Sequence, residues 1–370
     1  MKITAIDIKN YRLPLDPPFK AAWDPAPRRT FTAAIVRVST DAGITGIGSG
    51  DAMLGLTEHA DLFIGRDPFD IERHWQILDN LDFHYGRCWP LDIALWDIMG
   101  KAKRQSIAKF LNAPRFKILA YASTGEILAP EERTARVQKL LDRGFKALKI
   151  RFHHADPRDD IKVVESVRKA VGDHFTIMVD ANQGWNMPWD TETPWDFERA
   201  FQVAKALEDL NVYWLEEPLP HHDFRGMARL RQEANMRIAG GEMNRRWHDF
   251  REMSTLGSLD VYQPDVVLCG GITGVKKIAT RVQKEDAWFS PHTWGNGIGL
   301  LANLHLTCAV SKCPFLEFPF DPPVWTIARR DFMLCPEDRL MIDQEGYLHV
   351  PEKPGLGVEL DEEAMTRYAI

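Results

Sequence analysis

The chain has 370 residues, and its 46 Lys and Arg stand against 53 Asp and Glu, which gives a formal net charge of −7 at pH 7. This balance argues against nucleic acid or an anionic membrane as a partner. A hydrophobic share of 45% and a charged share of 27% are typical of a globular protein. The chain is longer than most domains with a single hydrophobic core, barrels excepted. We therefore expect a large barrel with a smaller unit beside it.

The start of the chain and the cysteines indicate in which compartment of the cell the protein is expected. Charged residues Lys2, Asp7 and Lys9 interrupt the stretch where a secretory signal needs an apolar core. No segment approaches about 18 consecutive apolar residues, so we expect no membrane span. The five cysteines are odd in number and lack a CxxC spacing. We therefore expect a cytoplasmic protein with reduced thiols.

The first part of the chain mixes strands with helices. Alternating apolar residues predict strands near 4–13 and 32–39, and longer periodic stretches predict helices around 71–81 and 90–104. These elements predict an α+β unit over residues 1–117.

From residue 119 onward, short apolar runs alternate regularly with helical stretches. The spacing predicts eight strands, at 119–123, 146–151, 176–180, 212–216, 237–240, 260–264, 287–292 and 315–318. Asp156 and Pro157 are typical of a helix start, and Gly172 of its end. Because no glycine-rich nucleotide motif follows the first strand, an eight-stranded α/β barrel over 118–320 is favoured over an open doubly wound sheet. A tail over 321–370 is predicted to pack back on the N-terminal unit.

Charged or titratable residues stand at the ends of successive predicted strands. In a barrel, the residues that carry chemistry project from the carboxyl ends of the strands. A single acid there is more often a helix cap or a loop residue, but the whole series predicts an active site. The series consists of Lys149, Arg151, Asp180, Asn182, Glu216, Glu242, Asp265, His292 and Glu317.

Three of these residues predict a metal site. Asp180, Glu216 and Glu242 lie on adjacent predicted strands and offer three hard oxygen ligands around one point. Neither His nor Cys joins them, so one Mg²⁺ is favoured over zinc.

Three further strand ends predict acid–base chemistry. Asp265 and His292 are one βα unit apart, so the carboxylate can orient the imidazole and raise its basicity. Glu317 would face the metal cluster across the barrel, where a protonated carboxyl can donate a hydrogen bond to a developing oxyanion. An unremarkable acid at the barrel mouth is an equally open interpretation of Glu317.

The chain resembles the mandelate-racemase subgroup of the enolase superfamily over its whole length. The motifs that carry this resemblance are DIALWDIMGK at 92–101, followed by KxR, DAN, WLEEP, GGE, QPD, PHTWG and LEF. The resemblance implies a (β/α)7β barrel, a capping domain completed by the C-terminal tail, and one Mg²⁺ held by Asp180, Glu216 and Glu242. It also implies removal of a proton α to a carboxylate, and a homo-oligomer.

The resemblance further implies roles for individual residues. A Lys at the position of Lys149 contacts the substrate carboxylate, a His–Asp dyad corresponds to His292 and Asp265, and a Glu at the position of Glu317 donates a hydrogen bond. Glu217, the second Glu of the WLEEP motif, is interpreted as supporting the site rather than binding the metal.

Arg151 departs from the subgroup, whose racemases carry a second Lys there and use it as the base opposite the His. A guanidinium stays protonated, so it can clamp a carboxylate or hydroxyl but cannot remove a proton from carbon. Racemisation needs a base on each face, whereas dehydration proceeds with one. The substitution favours a dehydratase of an aldonic or aldaric acid, in which His292 removes the α-proton, Lys149 and Glu317 stabilise the enediolate, and protonated His292 helps to expel the 3-hydroxyl.

Other functions remain open from the sequence. A racemase or epimerase, or a sugar-lactone cycloisomerase, would pass through the same enediolate. A barrel that binds a small sugar acid without turnover is the alternative of a different class.

Substrate choice is predicted to depend on the capping unit. The stretches 16–23 and 48–51 fall where the family's specificity loops lie, and Trp23, together with Arg28 or Arg29, is a candidate contact. Either arginine can pair with the second carboxylate of an aldaric acid, or can belong to a solvated loop. Asn182 and Trp294 are further candidates for substrate binding. The stretch 183–195, with three tryptophans, is interpreted either as a lid wall or as a contact with another subunit.

Overall fold

The computed structural model describes residues 1–24, 26–50, 53, 55–185 and 193–370. The N-terminal unit is an antiparallel three-stranded sheet covered by helices. Its strands, in the order β1-β2-β3, are Ile3–Phe19, Arg28–Thr40 and Thr45–Gly50. Its helices are α1 (Ile71–Tyr85), α2 (Pro90–Lys103) and the short α3 (Ile107–Phe110), with a 3-10 turn over Thr57–Leu62.

Two glycines allow α2 to pack directly on β3. A Cβ atom at Gly46 would lie 2.1 Å from the carbonyl oxygen of Ala94, and one at Gly48 would lie 1.9 Å from that of Pro90. Real side chains cannot approach backbone so closely, so the small residues of β3 fix how α2 lies over the sheet.

The next part of the chain forms the predicted (β/α)7β barrel, and all eight strands are present. In chain order its elements are β4 (Lys117–Ser123), α4 (Pro130–Leu141), β5 (Ala147–Arg151), α5 (Pro157–Val171), β6 (Thr176–Asp180), α6 (Phe197–Glu208), β7 (Trp214–Glu216), α7 (Phe224–Glu233), β8 (Arg237–Gly240), α8 (Trp247–Leu256), β9 (Val261–Tyr262), α9 (Gly271–Lys284), β10 (Trp288–Phe289), α10 (Gly297–Ala309) and β11 (Leu316–Pro319). The start of α5 is as predicted, since the side chain of Asp156 accepts from the Arg158 N–H and Gly172 follows with a φ of 70°.

The parallel strands pair in the order β10-β9-β8-β7-β6-β5-β4-β11. Hydrogen bonds bring the two ends of this sheet together: the Phe289 N–H donates to the Lys312 carbonyl at 2.9 Å, and the Ser290 hydroxyl to the Phe315 carbonyl at 2.7 Å. β9 and β10 are shorter than predicted, because the chain leaves the sheet just before Asp265 and His292. The inner face holds an apolar cluster that includes Tyr121, Met178 and Trp214.

The N-terminal unit is joined to the barrel at the start of α9. The carboxylate of Asp92, on α2, accepts from the backbone N–H of Thr273 at 3.0 Å and from its hydroxyl at 2.6 Å. Trp96 Nε1 donates to the same hydroxyl at 2.8 Å, and Trp75 Nε1, on α1, donates to the Gly270 carbonyl at 2.8 Å. These contacts hold the unit beside the segment that carries Asp265.

The tail contacts both parts of the molecule. Its elements are α11 (Ile327–Arg330), a 3-10 turn (Pro336–Asp338), β12 (Tyr347–His349) and α12 (Glu362–Tyr368). β12 pairs antiparallel with β4 of the barrel, while the N–H of Ile370 donates to the Asn10 carbonyl of β1 at 3.0 Å and Glu362 pairs with Arg37 at 2.6 Å. The division at residues 117 and 320 stays our proposal. Among the described residues, no helix has the length and apolar character needed to cross a membrane.

Candidate active site

Parallel register places the predicted metal ligands side by side. Arg151 of β5 stands opposite Asp180 of β6, and Asp180 stands opposite Glu216 of β7. Glu242 follows β8 directly after Gly241, whose φ of 111° favours glycine and turns the chain inward. Carboxylate oxygens of Asp180, Glu216 and Glu242 all lie within 4.8 Å of one another. The three residues thus meet at one point, as the sequence predicts.

Two more acids, Glu217 and Glu317, are buried beside this cluster. Glu217 has a φ of 45°, is 1% exposed, and neither of its carboxyl oxygens has a hydrogen-bond partner among the described residues. Burial, together with the neighbouring carboxylates Glu242, Asp180 and Glu216, raises the pKa of Glu217 well above its usual range. Its carboxyl group lies against Gly184, where a Cβ would be 2.4 Å away. Glu217 is therefore a buried acid without a cation of its own among the described residues, and its raised pKa favours the neutral form.

The cluster fits a divalent cation with hard-oxygen preference. Burial, together with the neighbouring Asp180, Glu242 and Glu317, raises the pKa of Glu216 well above its usual range, although Lys149 opposes this. Oε2 of Glu242 is buried and has no hydrogen-bond partner among the described residues. A small cation that takes carboxylate oxygens, such as Mg²⁺, suits this donor set.

Lys149 lies among the carboxylates rather than on a cavity wall. Its Nζ is 2.6 Å from Glu216 Oε1, 2.9 Å from Glu317 Oε1 and 3.4 Å from Asp180 Oδ2, and the side chain is fully buried. Burial alone would lower the pKa of Lys149, but Glu216 and Glu317 outweigh burial and raise the pKa above its usual range. Lys149 is thus a fixed positive charge, and its contact with a substrate carboxylate stays a prediction.

Arg151 is held as a permanent cation at the cavity wall. Its guanidinium pairs with Asp180, its Nε donates to the Thr124 carbonyl at 3.1 Å, and its Cζ lies 4.8 Å from the ring centre of Trp23 and 5.5 Å from that of Trp294. Burial lowers the pKa of Arg151, but Asp180 and Glu242 more than compensate and raise it. Arg151 therefore donates hydrogen bonds and cannot act as a base.

His292 and Asp265 form the predicted dyad. Nδ1 of His292 lies 2.9 Å from Asp265 Oδ2, and the other oxygen of Asp265 accepts from the Asn303 side chain and the Val267 N–H, both at 2.9 Å. This arrangement leaves Nε2 of His292 facing the cavity, 3.9 Å from Glu242 Oε2. Burial lowers the pKa of His292, but Glu242, Glu317 and Asp265 outweigh it and raise the pKa to about 10. Asn303, which steadies Asp265 from α10, was not predicted, and no local motif marks it.

The surroundings of Glu317 favour its ionised form over the protonated form that the sequence suggests, and its role as a donor stays a prediction. Oε1 accepts from the Ser123 hydroxyl at 2.7 Å and lies 2.9 Å from Lys149 Nζ, while Oε2 accepts from the Thr293 N–H at 2.6 Å. Burial raises the pKa of Glu317, but Lys149, His292 and Arg151 hold it well below its usual range. Glu317 is here a hydrogen-bond acceptor that orients Lys149, because its surroundings are cations and donors.

A cavity of about 770 Å³ opens above His292. The predicted substrate contacts Trp23, Arg28, Arg29, Asn182 and Trp294 all line it. Arg28 also forms a two-bond ion pair with Asp24, so its charge is already matched. Two lining arginines, Arg87 and Arg245, were not predicted. The described lining residues are Trp23, Arg28, Arg29, Thr30, Phe31, Thr32, Arg87, Arg151, Asn182, Trp185, Glu242, Met243, Arg245, Leu268, His292, Trp294 and Gly295.

Two predicted specificity segments lie partly outside the described residues. Asp51 of the 48–51 turn and residues 186–192 of the tryptophan-rich stretch are not described. Of the remaining tryptophans in that stretch, Trp185 lines the cavity, whereas Trp195 is 5% exposed and packs in the core. The choice between a lid wall and a subunit contact stays open.

Comparisons with known proteins agree with this architecture. Residues 3–112 match the family model of the mandelate racemase / muconate lactonizing enzyme N-terminal domain, and residues 132–364 match the enolase C-terminal domain-like model. D-galactarolactone cycloisomerase of Agrobacterium fabrum is 28% identical and aligns with 100% of this chain and 99% of its own length. L-talarate/galactarate dehydratase of Salmonella typhimurium is 30% identical over 83% of this chain and 73% of its own length.

Among solved structures, a racemase from Streptomyces coelicolor A3(2) with bound magnesium has a TM-score of 0.85 and 26% identity, with full coverage of both chains. These relatives carry out three different reactions on one scaffold, so the likeness identifies the family and not the reaction. By its sequence, its barrel and its row of strand-end carboxylates, the chain belongs to the mandelate racemase/muconate lactonizing enzyme family of the enolase superfamily.

Proposed function

We propose that this protein is a Mg²⁺-dependent dehydratase of an acid sugar, which converts an aldonic or aldaric acid to a 2-keto-3-deoxy acid. The proposal rests on a difference between two groups at the cavity, of which only one can act as a base. His292, oriented by Asp265, can take and return a proton, while Arg151 stays protonated. One base suffices for dehydration, and racemisation needs two.

The metal would be held by Asp180, Glu216 and Glu242. When bound, Mg²⁺ supplies the positive charge that offsets the negative charge developing on a carboxylate as its α-proton leaves. A cation among these ligands would also offset the negative charge of Glu242. That charge otherwise raises the pKa of His292 and favours its protonated form.

The residues of the chain perform the proton transfers. His292 Nε2 takes the proton from C2, and the new positive charge is matched by Asp265 at Nδ1. Lys149 adds a fixed positive charge behind the reacting carboxylate, held in place by Glu317. Arg151, which lies beside Trp23 and Trp294, donates hydrogen bonds to the substrate. His292 then gives its proton to the 3-hydroxyl, the C3–O bond breaks, water leaves, and the enol tautomerises to the keto acid.

A sugar-lactone cycloisomerase is the second candidate. It too needs one base, and the full-length similarity to a D-galactarolactone cycloisomerase supports it. A racemase or epimerase is disfavoured because Arg151 provides no second base. A binding barrel without turnover is disfavoured because a complete His–Asp dyad faces the cavity.

The test is an assay of the purified protein with Mg²⁺ and a panel of aldonic acids, aldaric acids and their lactones. We expect 2-keto acid, measured as the semicarbazone, with one acid and not in the presence of EDTA. His292→Asn is the control for catalysis at this site. Conversion of a lactone without keto acid would identify the cycloisomerase, and formation of the C2 epimer in D₂O with deuterium at C2, seen by NMR, would refute the one-base argument.

A further inference from the structure

The wall of the cavity above His292 is strongly cationic. Five arginines line it, and Glu242 is the one acid on the described part of the wall. The arginines are Arg28, Arg29, Arg87, Arg151 and Arg245.

These arginines differ in how their charge is matched within the protein. Arg28 is paired with Asp24 through two hydrogen bonds, and Arg151 is paired with Asp180. Arg29 is exposed to solvent. Arg245 is partly buried, and its guanidinium has no ion pair and no hydrogen bond within the part of the chain that the structure describes.

Two acids near Arg245, Asp265 and Asp82, already have other partners, and Asp249 accepts from the backbone N–H of Arg245 at 3.3 Å. Asp265 is engaged by His292 through one oxygen and by Asn303 through the other. Asp82 lies 3.6 Å from Nη2 of Arg246. Burial lowers the pKa of Arg245, and the neighbouring Arg87 lowers it further, against the opposing effect of Asp265 and Asp82. An anion that enters the cavity would therefore meet a partly buried guanidinium whose N–H groups have no acceptor among the described residues.

The position of Arg245 relates this anion to the chemistry. Arg245 lies three residues after Glu242, on the segment between β8 and α8, and shares the cavity with His292. A ligand whose reacting carboxylate lies at the Asp180–Glu216–Glu242 cluster would extend along this wall. We propose that Arg245 binds a second anionic group of the substrate, so that the acid sugar used by this site is a diacid. This inference rests on the proposed function.

The experiment compares acids that differ only at the far end. Galactarate is paired with D-galactonate and D-glucarate with D-gluconate, since each monoacid has a CH₂OH in place of one carboxylate. Dissociation constants are measured by calorimetry with Mg²⁺ in a His292→Asn background, which prevents turnover, and keto-acid formation is measured separately with active protein. Arg245→Met removes the charge while it keeps the apolar stem, and Arg245→Lys keeps the charge.

Arg246→Met is the matched control, because Arg246 is the neighbouring residue, is paired with Asp82 and does not line the cavity. Circular dichroism and melting temperature check that each variant is folded.

We expect the protein to bind one diacid at least about 10-fold more tightly than its monoacid partner. Arg245→Met should weaken diacid binding by about 10- to 100-fold, change monoacid binding by less than about 3-fold, and so abolish the preference. Arg245→Lys should restore part of the preference for the diacid, and Arg246→Met should leave this preference intact.

Equal loss of both acids in Arg245→Met, or no preference for a diacid in either pair, would overturn the inference. Diacid-selective binding without keto-acid formation would instead refute the proposed dehydration and leave the role of Arg245 standing.

Discussion

His305 on α10 is a neutral histidine that joins three parts of the chain. It is 0% exposed. Nδ1 accepts from the backbone N–H of Ala108 at 3.1 Å, and Nε2 lies 3.0 Å from the carbonyl oxygen of Leu356 in the tail. An amide N–H only donates and a carbonyl only accepts, so both contacts are satisfied by the neutral tautomer with its hydrogen on Nε2. A proton added at Nδ1 would face the Ala108 N–H.

This geometry predicts a loss of stability in weak acid. Burial lowers the pKa of His305 from 6.5 to about 4, against a smaller opposing effect of the Leu356 carbonyl. The unfolded chain therefore binds a proton at a higher pH than the folded one. The contribution of His305 to the free energy of unfolding is complete above about pH 7, and it is lost as the pH falls from 6.5 towards 4. The loss amounts to about 2 kcal/mol between pH 7.5 and pH 5.

The assay is equilibrium unfolding in urea at pH 7.5 and pH 5, followed by circular dichroism, with EDTA present so that metal binding does not vary with pH. His305→Gln removes the titrating group, and the difference between the two pH values should shrink by about 2 kcal/mol relative to the unmodified protein. His349→Gln is the control, because His349 is exposed and pairs with Asp343. If His305→Gln kept the full pH dependence, the assignment of a buried neutral imidazole would be refuted.

Three further predictions concern the site itself. His292→Asn should lower keto-acid formation by about 10³-fold while the protein still gains stability from Mg²⁺, because the metal ligands are intact; near-normal turnover would exclude His292 as the base. Arg151→Lys places a group that can lose its proton opposite His292, so exchange of the α-proton with D₂O, followed by NMR, should increase relative to keto acid, and an unchanged ratio would contradict the argument from Arg151. Chelation with EDTA should lower the melting temperature by the equivalent of about 2.7 kcal/mol relative to Mg²⁺ at 100 times its dissociation constant. The same treatment should have no effect on Asp180→Asn, and an equal shift there would place the metal elsewhere.

The barrel and its row of functional residues were predictable because both follow from local patterns. Short apolar runs one βα unit apart predict the eight strands, and the parallel order then places the ends of successive strands next to one another. Asp180 and Glu216 are in register across β6 and β7, so their closeness to each other depends on little more than strand length. The dyad of Asp265 and His292 follows from the same rule, since β9 pairs with β10.

Charge states and cavity contacts depended on the tertiary structure. The sequence suggested a protonated Glu317, but Lys149 from β5 and the Thr293 N–H from the segment after β10 make it an ionised acceptor. The sequence does not mark Arg245, because its proposed role depends on the lack of an ionic partner for its guanidinium among the described residues. Coulomb energy and desolvation depend on distances between groups far apart in the chain, and these distances are set only when the barrel closes and the N-terminal unit lies against it.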